Sequence, residues 1–326
     1  MENKKSQNII FIIVALALLC VALIVMLRFD IPKRAVIKLK ALSNNEVDIY
    51  EERLDIEGLD EEFNIFFIAD SHIALCDGRD PELKAYSKER REYFKRDAKG
   101  SEKNFSILMD YVRKQNPDLI VFGGDIVDSA TYASIEYVKK ELDKTDIPYV
   151  FCIGNHDFSY QKEYYSEKAY EEYMPRLSAF LEDYDSGYRI VEYDKFNILV
   201  ADDYNYQFAD NIGDAVDKLT ADDKPVIVVQ HVPYALIYDS STLMERTNAV
   251  WTPQPDGRPS VLIGNLAIPP DKESASLVSF VFNNPNVKMV LAGHLHFFSR
   301  DPVDAKTIQI ITQPAFERGA IKLTLY

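Results

Sequence analysis

Five short runs of this chain are apolar at nearly every position, and each stops at a polar turn. Phe63–Ala69 runs into Asp70-Ser71-His72, and Asp118–Phe122 into Gly123-Gly124-Asp125-Ile126-Val127-Asp128. Pro148–Ile153 runs into Gly154-Asn155-His156-Asp157, Val226–Val229 into Gln230-His231, and Val287–Ala292 into Gly293-His294-Leu295-His296. Short runs apolar on both alternations predict strands buried on both faces. Helix-period segments lie between them. Phe105 to Lys114 places apolar residues at 105, 108, 109 and 112, Tyr132–Leu142 is similar, and Leu277–Phe282 precedes the fifth run. Alternating strands and helices predict an α/β fold. Val47–Ile56 reads as an outer strand, while Tyr188–Tyr193, Phe196–Ala201, Thr307–Ile311 and Ala320–Leu325 add strands with no clear helices between them. That surplus predicts two packed mixed sheets flanked by helices. No repeat or low-complexity linker interrupts residues 47–326, which are expected to form one domain.

The N-terminus carries a different pattern. After a short tail, residues 1–8, Ile9–Leu27 is an unbroken apolar run of 19 residues, long enough to span a bilayer as a helix. A cleaved signal peptide would also begin with a short basic segment such as Lys4-Lys5, but the run is long and carries no small-residue A-x-A cleavage site. Leu18 and Leu19 before Cys20 argue against lipid attachment there. The expectation is an uncleaved single-pass transmembrane helix at 9–27, followed by a juxtamembrane segment, 28–46. The Lys and Arg count beside the run favours a cytoplasmic domain, whereas the tiny basic tail resembles a secretion-type anchor. The second reading is adopted here, which places the domain outside the cytoplasm.

Charge narrows the class of partner. The net charge is -15. Residues 1–34 hold five Lys or Arg against two acids, a balance of +3 that leaves -18 on the rest. So acidic a domain lacks the basic face that duplex binding requires, and nucleic acid is disfavoured as a partner. It would also repel anionic substrates at long range unless the site itself were positive. With 326 residues, 47% of them hydrophobic, the chain can bury a large core. Cys20, Cys76 and Cys152 have no metal-type spacing and are too few for a disulfide framework.

All five histidines, His72, His156, His231, His294 and His296, sit at or just after the ends of apolar runs. Polar groups at the carboxyl ends of strands converge on one crevice in layered α/β folds. Here they are Asp70, His72, Asp125, Asp128, Asn155, His156, His231, His294 and His296. Mixed imidazoles and carboxylates suit manganese, iron or zinc, while magnesium and calcium prefer all-oxygen shells. Seven ligands drawn from these nine are too many for one ion and suit two.

The blocks D-x-H, G-D-x-x-D, G-N-H-[D/E], a lone His and G-H-x-H occur here in that order. In this respect the chain resembles the calcineurin-like metallophosphoesterase superfamily over roughly residues 47–300. It departs from the purple acid phosphatases, which carry Tyr at the position of Asp128. The resemblance implies a four-layer α/β/β/α sandwich and hydrolysis of a phosphomono- or phosphodiester by hydroxide held on a dinuclear metal centre. It implies that Asp70, His72 and His296 hold one ion, that Asn155, His231 and His294 hold the other, and that Asp125 bridges them. His156 would then be the general acid and Asp128 the group that orients it. Two such ions outweigh the charge of Asp70 and Asp125, so the centre would attract a phosphate within an acidic domain. Asp157 is left between a helix cap and a supporting role at the site.

Other features carry weaker signals. The insert Asp77–Asn104 holds more Lys and Arg than Asp and Glu. It reads as a solvated helix, with an active-site flap as its functional alternative. The Tyr-rich segment 160–173 reads as helix packing, Asp202-Asp203 as a turn, and Trp251–Pro259 as a rigid surface loop, with Tyr234 and Arg258 as alternative pocket residues. The expected substrate is a small or lipid-linked phosphate ester. The rival reading is a non-catalytic module that binds a phosphorylated ligand on the same fold, but none of the implied ligands is missing.

Overall fold

The computed structural model describes residues 46–158, 167–235, 240–251 and 269–326. The expected membrane segment 9–27 and residues 28–45 lie outside them, as do Arg258 and residues 160–166 and 252–259 of two segments noted above. Among the described residues no helix is long and apolar enough to cross a membrane.

The strands are β1 (Asp48–Leu54), β2 (Phe63–Ile68), β3 (Leu119–Gly123), β4 (Tyr149–Cys152), β5 (Tyr188–Glu192), β6 (Asn197–Ala201), β7 (Val226–Val229), β8 (Val287–Ala292), β9 (Ser299–Pro302), β10 (Ile308–Ile311) and β11 (Gly319–Leu325). They form a five-stranded sheet, β1-β11-β2-β3-β4, and a six-stranded sheet, β5-β6-β7-β8-β10-β9. β2, β3 and β4 are parallel to one another, and so are β6, β7, β8 and β10. β11 runs antiparallel to β2, β5 to β6, and β9 to β10, which makes both sheets mixed.

Period-two alternation explains why the strands look apolar throughout. In β2, Ile65 and Phe67 turn inward, where they join Val121, Val200, Val229, Leu291 and Leu323 in a core between the sheets. Phe66 and Ile68 turn outward against Phe105, Leu108, Met109 and Val112 of the helix Ser101–Gln115 and Val138 of the helix Tyr132–Leu142. On the other sheet Leu199, Val228 and Val290 pack under the helices Ile212–Asp222 and Lys272–Asn283. Fully burying a Phe or Leu side chain contributes roughly 1.5–3 kcal/mol, so three continuous cores account for the layering. The four layers, helix on sheet on sheet on helix, match the predicted architecture. The helices Ile212–Asp222 and Ser240–Val250 and the strand β9 went unread, although Ile212, Ala215, Val216 and Leu219 stand at helical spacing.

The parallel strands of both sheets deliver their carboxyl ends to one edge. The loops after them are stitched together by backbone bonds. His72 N donates to Asp125 O, Ile73 N to Ile126 O, and Gly293 N to His231 O.

Candidate metal centre

Six predicted residues meet at that edge in two adjoining sets of donors, and His72, Asp128 and His156 form a third that shares His72. In the first, Nε2 of His72 and Nε2 of His296 are 2.9 Å apart, and Asp70 Oδ1 lies 3.4 Å from the latter and 3.9 Å from the former. In the second, His231 Nε2 is 3.0 Å from Asp125 Oδ2 and 3.3 Å from His294 Nδ1. The sets adjoin, with Asp125 Oδ2 3.8 Å from His72 Nε2 and Asp70 Oδ1 4.0 Å from His231 Nε2. All of these groups are buried except His296, whose side chain is 13% exposed.

The donor set fits bound metal on the chain's own geometry. Ring nitrogens about 2.1 Å from one ion and at right angles about it are themselves ~3 Å apart, as His72 and His296 are. Asn155 is 2% exposed, yet its Oδ1 has no hydrogen-bond partner. Buried polar atoms are rarely left unpaired, so this oxygen is available for a ligand bond.

Local structure aims each donor. Asp70, His72, Asp125, His294 and His296 all have positive φ, between 46° and 70°. Non-glycine residues adopt this left-handed region at a cost, and five together mark a strained, over-determined site. The glycines make room. A Cβ on Gly154 would lie 2.4 Å from Asp125 Oδ1, and one on Gly293 2.6 Å from Asp70 Oδ2. His231 Nδ1 faces the Gly123 carbonyl at 2.9 Å, which fixes the tautomer and leaves Nε2 for the centre. Asp70 accepts the His294 N–H with both oxygens at 3.0 Å.

Asp128 serves two rings. Its Oδ1 is 2.7 Å from His72 Nδ1 and 2.8 Å from His156 Nδ1. His156 also donates its backbone N–H to Asp125 Oδ1 at 2.7 Å. Burial opposes charge on His156, but the Asp128 and Asp125 carboxylates outweigh it and raise its pKa. His72 behaves oppositely: burial outweighs Asp128 and pulls it down to about 4, which keeps the ring neutral. His231 is opposed by burial but pushed up to about 10 by Asp125.

Five readings from sequence change or are resolved here. Asp157 is no simple helix cap. It is fully buried and accepts the backbone N–H groups of Asp125, Ile126, Val127 and Gly154 at 2.7–2.9 Å, tying the loops after β3 and β4 together. Asp202-Asp203 is more than a turn. Asp203 accepts from the N–H groups of His231 and Val232, and Asp202 from Ile153 N and Arg189. Trp251, placed in a surface loop, lies parallel to the His294 ring with centroids 6.3 Å apart. Tyr234, by contrast, is buried in the core under the second sheet. The charged insert supplies Phe94, whose ring stacks on His72 at 4.1 Å and 11°. These roles could not be read because each depends on a contact between segments distant in the chain.

The calcineurin-like phosphoesterase model matches residues 63–298. The chain belongs to the calcineurin-like phosphoesterase family. That span contains all the donors of both sets, and the family supplies the use of divalent metal. Several solved structures are similar. A dimetal phosphatase from Danio rerio is 15% identical, with 78% of this chain and 88% of that chain covered and a TM-score of 0.49. A purple acid phosphatase from yellow lupin seeds is 14% identical, with 81% and 45% covered and a TM-score of 0.47. A putative 5'-nucleotidase from Staphylococcus aureus is 10% identical, with 78% and 49% covered and a TM-score of 0.44. The chain spans less than half the length of the latter two. No curated protein matches it.

A phosphoesterase of this family should be stabilised by its metal. Manganese at about 1,000 times its dissociation constant should add about 4 kcal/mol to unfolding. The expected result is a higher melting temperature on adding manganese to chelator-treated protein. An unchanged melting temperature would count against a metal centre here.

Proposed function

We propose that this metallophosphoesterase hydrolyses a phosphomono- or phosphodiester, small or lipid-linked, at a dinuclear centre of manganese, iron or zinc. Asp70, His72 and His296 would hold one ion, Asn155, His231 and His294 the other, with Asp125 between them. When bound, such ions polarise the phosphoryl oxygen and acidify a water to serve as nucleophile. The remaining steps belong to the chain. His156 lies beside the donor cluster, has its pKa raised by Asp128 and Asp125 and gives its proton to the leaving oxygen, and Asp128 holds the ring at Nδ1 so that Nε2 faces the substrate. The observation that carries this reading is the contact of Asp128 with His156 at 2.8 Å next to the donor sets Asp70, His72, His296 and Asp125, His231, His294.

The acidic domain and the apolar run at 9–27 favour a small or membrane-borne ester over nucleic acid, and on this proposal the chain is a single-pass membrane protein with its domain outside the cytoplasm. Protease accessibility in intact cells tests that placement.

The chemistry is tested with the full chain loaded with manganese and assayed on 4-nitrophenyl and bis(4-nitrophenyl) phosphate, then on alkyl esters. His156→Gln is expected to keep both ions and lose about 10²–10⁴-fold in turnover. The loss should be greatest for alkyl esters, whose leaving oxygen most needs a proton. Equal turnover in the variant at full metal occupancy would remove His156 from the mechanism. Tight binding of phosphoesters without turnover of any would favour the binding-module alternative.

A further inference from the structure

The charged insert reaches the centre through one side chain. The helix Lys84–Tyr93 turns most residues to solvent, but Arg90 points inward with its side chain 20% exposed. Its Nε donates to Asp128 Oδ2 at 2.6 Å, and its Nη2 donates to Asp128 Oδ1 at 3.1 Å. The guanidinium also lies over the ring of Phe94, 4.5 Å from its centroid, and Phe94 stacks on His72. Arg90 therefore grips the carboxylate while Phe94, four residues on, backs the imidazole that the same carboxylate touches.

Asp128 is wholly buried, and its Oδ1 must meet two imidazole nitrogens at once, at 2.7 and 2.8 Å. A turn of the carboxylate about its χ2 axis would break both contacts. The planar fork of Arg opposes such a turn because it engages both oxygens, which a single ammonium does poorly. We propose that Arg90 is a positioning residue. It locks Asp128 in the one orientation that serves His72 and His156 together, and so couples a metal ligand of the first set to the proton donor. The inference rests on the phosphoesterase reading of the site, and it assigns the insert a role in rate as distinct from substrate affinity.

The test uses the manganese-loaded full chain. Arg90→Ala is expected to lower kcat on an alkyl phosphate by about 10–100-fold, with KM within threefold, because removing an outer support of a metal site has effects of that size. Added guanidinium ion should restore part of the loss, and Arg90→Lys should fall between the two. Manganese affinity at the first site, measured by calorimetric titration, should weaken about tenfold. Arg91→Ala removes an ion pair with Glu102 on the same insert and should leave all three readouts unchanged. A raised KM with unchanged kcat would make Arg90 a substrate contact and overturn the proposal, and so would equal losses in Arg90→Ala and Arg91→Ala. If the wild type turned over no ester at all, the phosphoesterase reading would fail. The manganese titration would then decide the positioning role alone, with unchanged affinity in Arg90→Ala overturning it.

Discussion

Asp125→Asn should abolish most of the turnover, by about 10³-fold or more, and leave fewer than two ions per chain. The substitution changes almost no volume, so its effect is one of charge. Asp125 Oδ2 faces His231 at 3.0 Å and His72 at 3.8 Å, which places it between the donor sets, while Oδ1 holds the His156 N–H. The carboxamide retains an acceptor for that N–H but turns an NH2 donor toward the imidazoles and removes a negative charge that two cations would share. Losing ~4 kcal/mol of transition-state stabilisation corresponds to about 10³ in rate. Metal analysis of the purified variant alongside kcat on nitrophenyl phosphates checks both halves. Two retained ions with activity within tenfold of wild type would remove Asp125 from the bridging position.

Asp157→Ala should cost stability first and activity only in consequence. One buried carboxylate satisfies four backbone N–H groups from two loops, and the substitution orphans all four. Each unsatisfied buried donor costs about 1–3 kcal/mol, and water entering the vacated space recovers part of it, so a net loss of about 3–5 kcal/mol is expected. At roughly 2–4 °C per kcal/mol for a domain of this size, melting should fall by about 6–20 °C. Urea denaturation measures the loss directly. A midpoint equal to wild type would show that the loops after β3 and β4 are held by other bonds.

The two variants probe different levels of organisation. Asp125 lies in the middle of the chemistry, and its replacement should leave an otherwise folded domain. Asp157 lies one layer behind, and its four bonds hold Asp125, Asn155 and His156 on a common frame. Five donors in the left-handed region need such a frame, because the backbone strain they store must be balanced by contacts elsewhere.

Much of this was legible in the sequence. The ends of five apolar runs carried every histidine, and the spacing within each block was short enough for local geometry to define it. Strand, turn and donor lie within a few residues of one another in Phe63–His72 or Val287–His296, so both the fold class and the residues gathered at the strand ends could be read from one dimension. Asp157 and Asp203 were visible as residues but not as roles. Their carboxylates bind backbone N–H groups about 30 residues away, and nothing local distinguishes such an acid from a cap or a turn. Arg90 and Phe94 were hidden more deeply, inside a charge run whose composition is that of a solvated helix.

By itself the sequence determined the layered α/β architecture, the nine residues at the strand ends and the metal-seeking character of their side chains, since these follow from periodicity and residue type. The tertiary structure alone decided which donors face one another, which acids brace them, and that an arginine from the insert closes on Asp128. Those facts depend on how loops far apart in the chain pack at one sheet edge, a property of three-dimensional packing that no local pattern encodes.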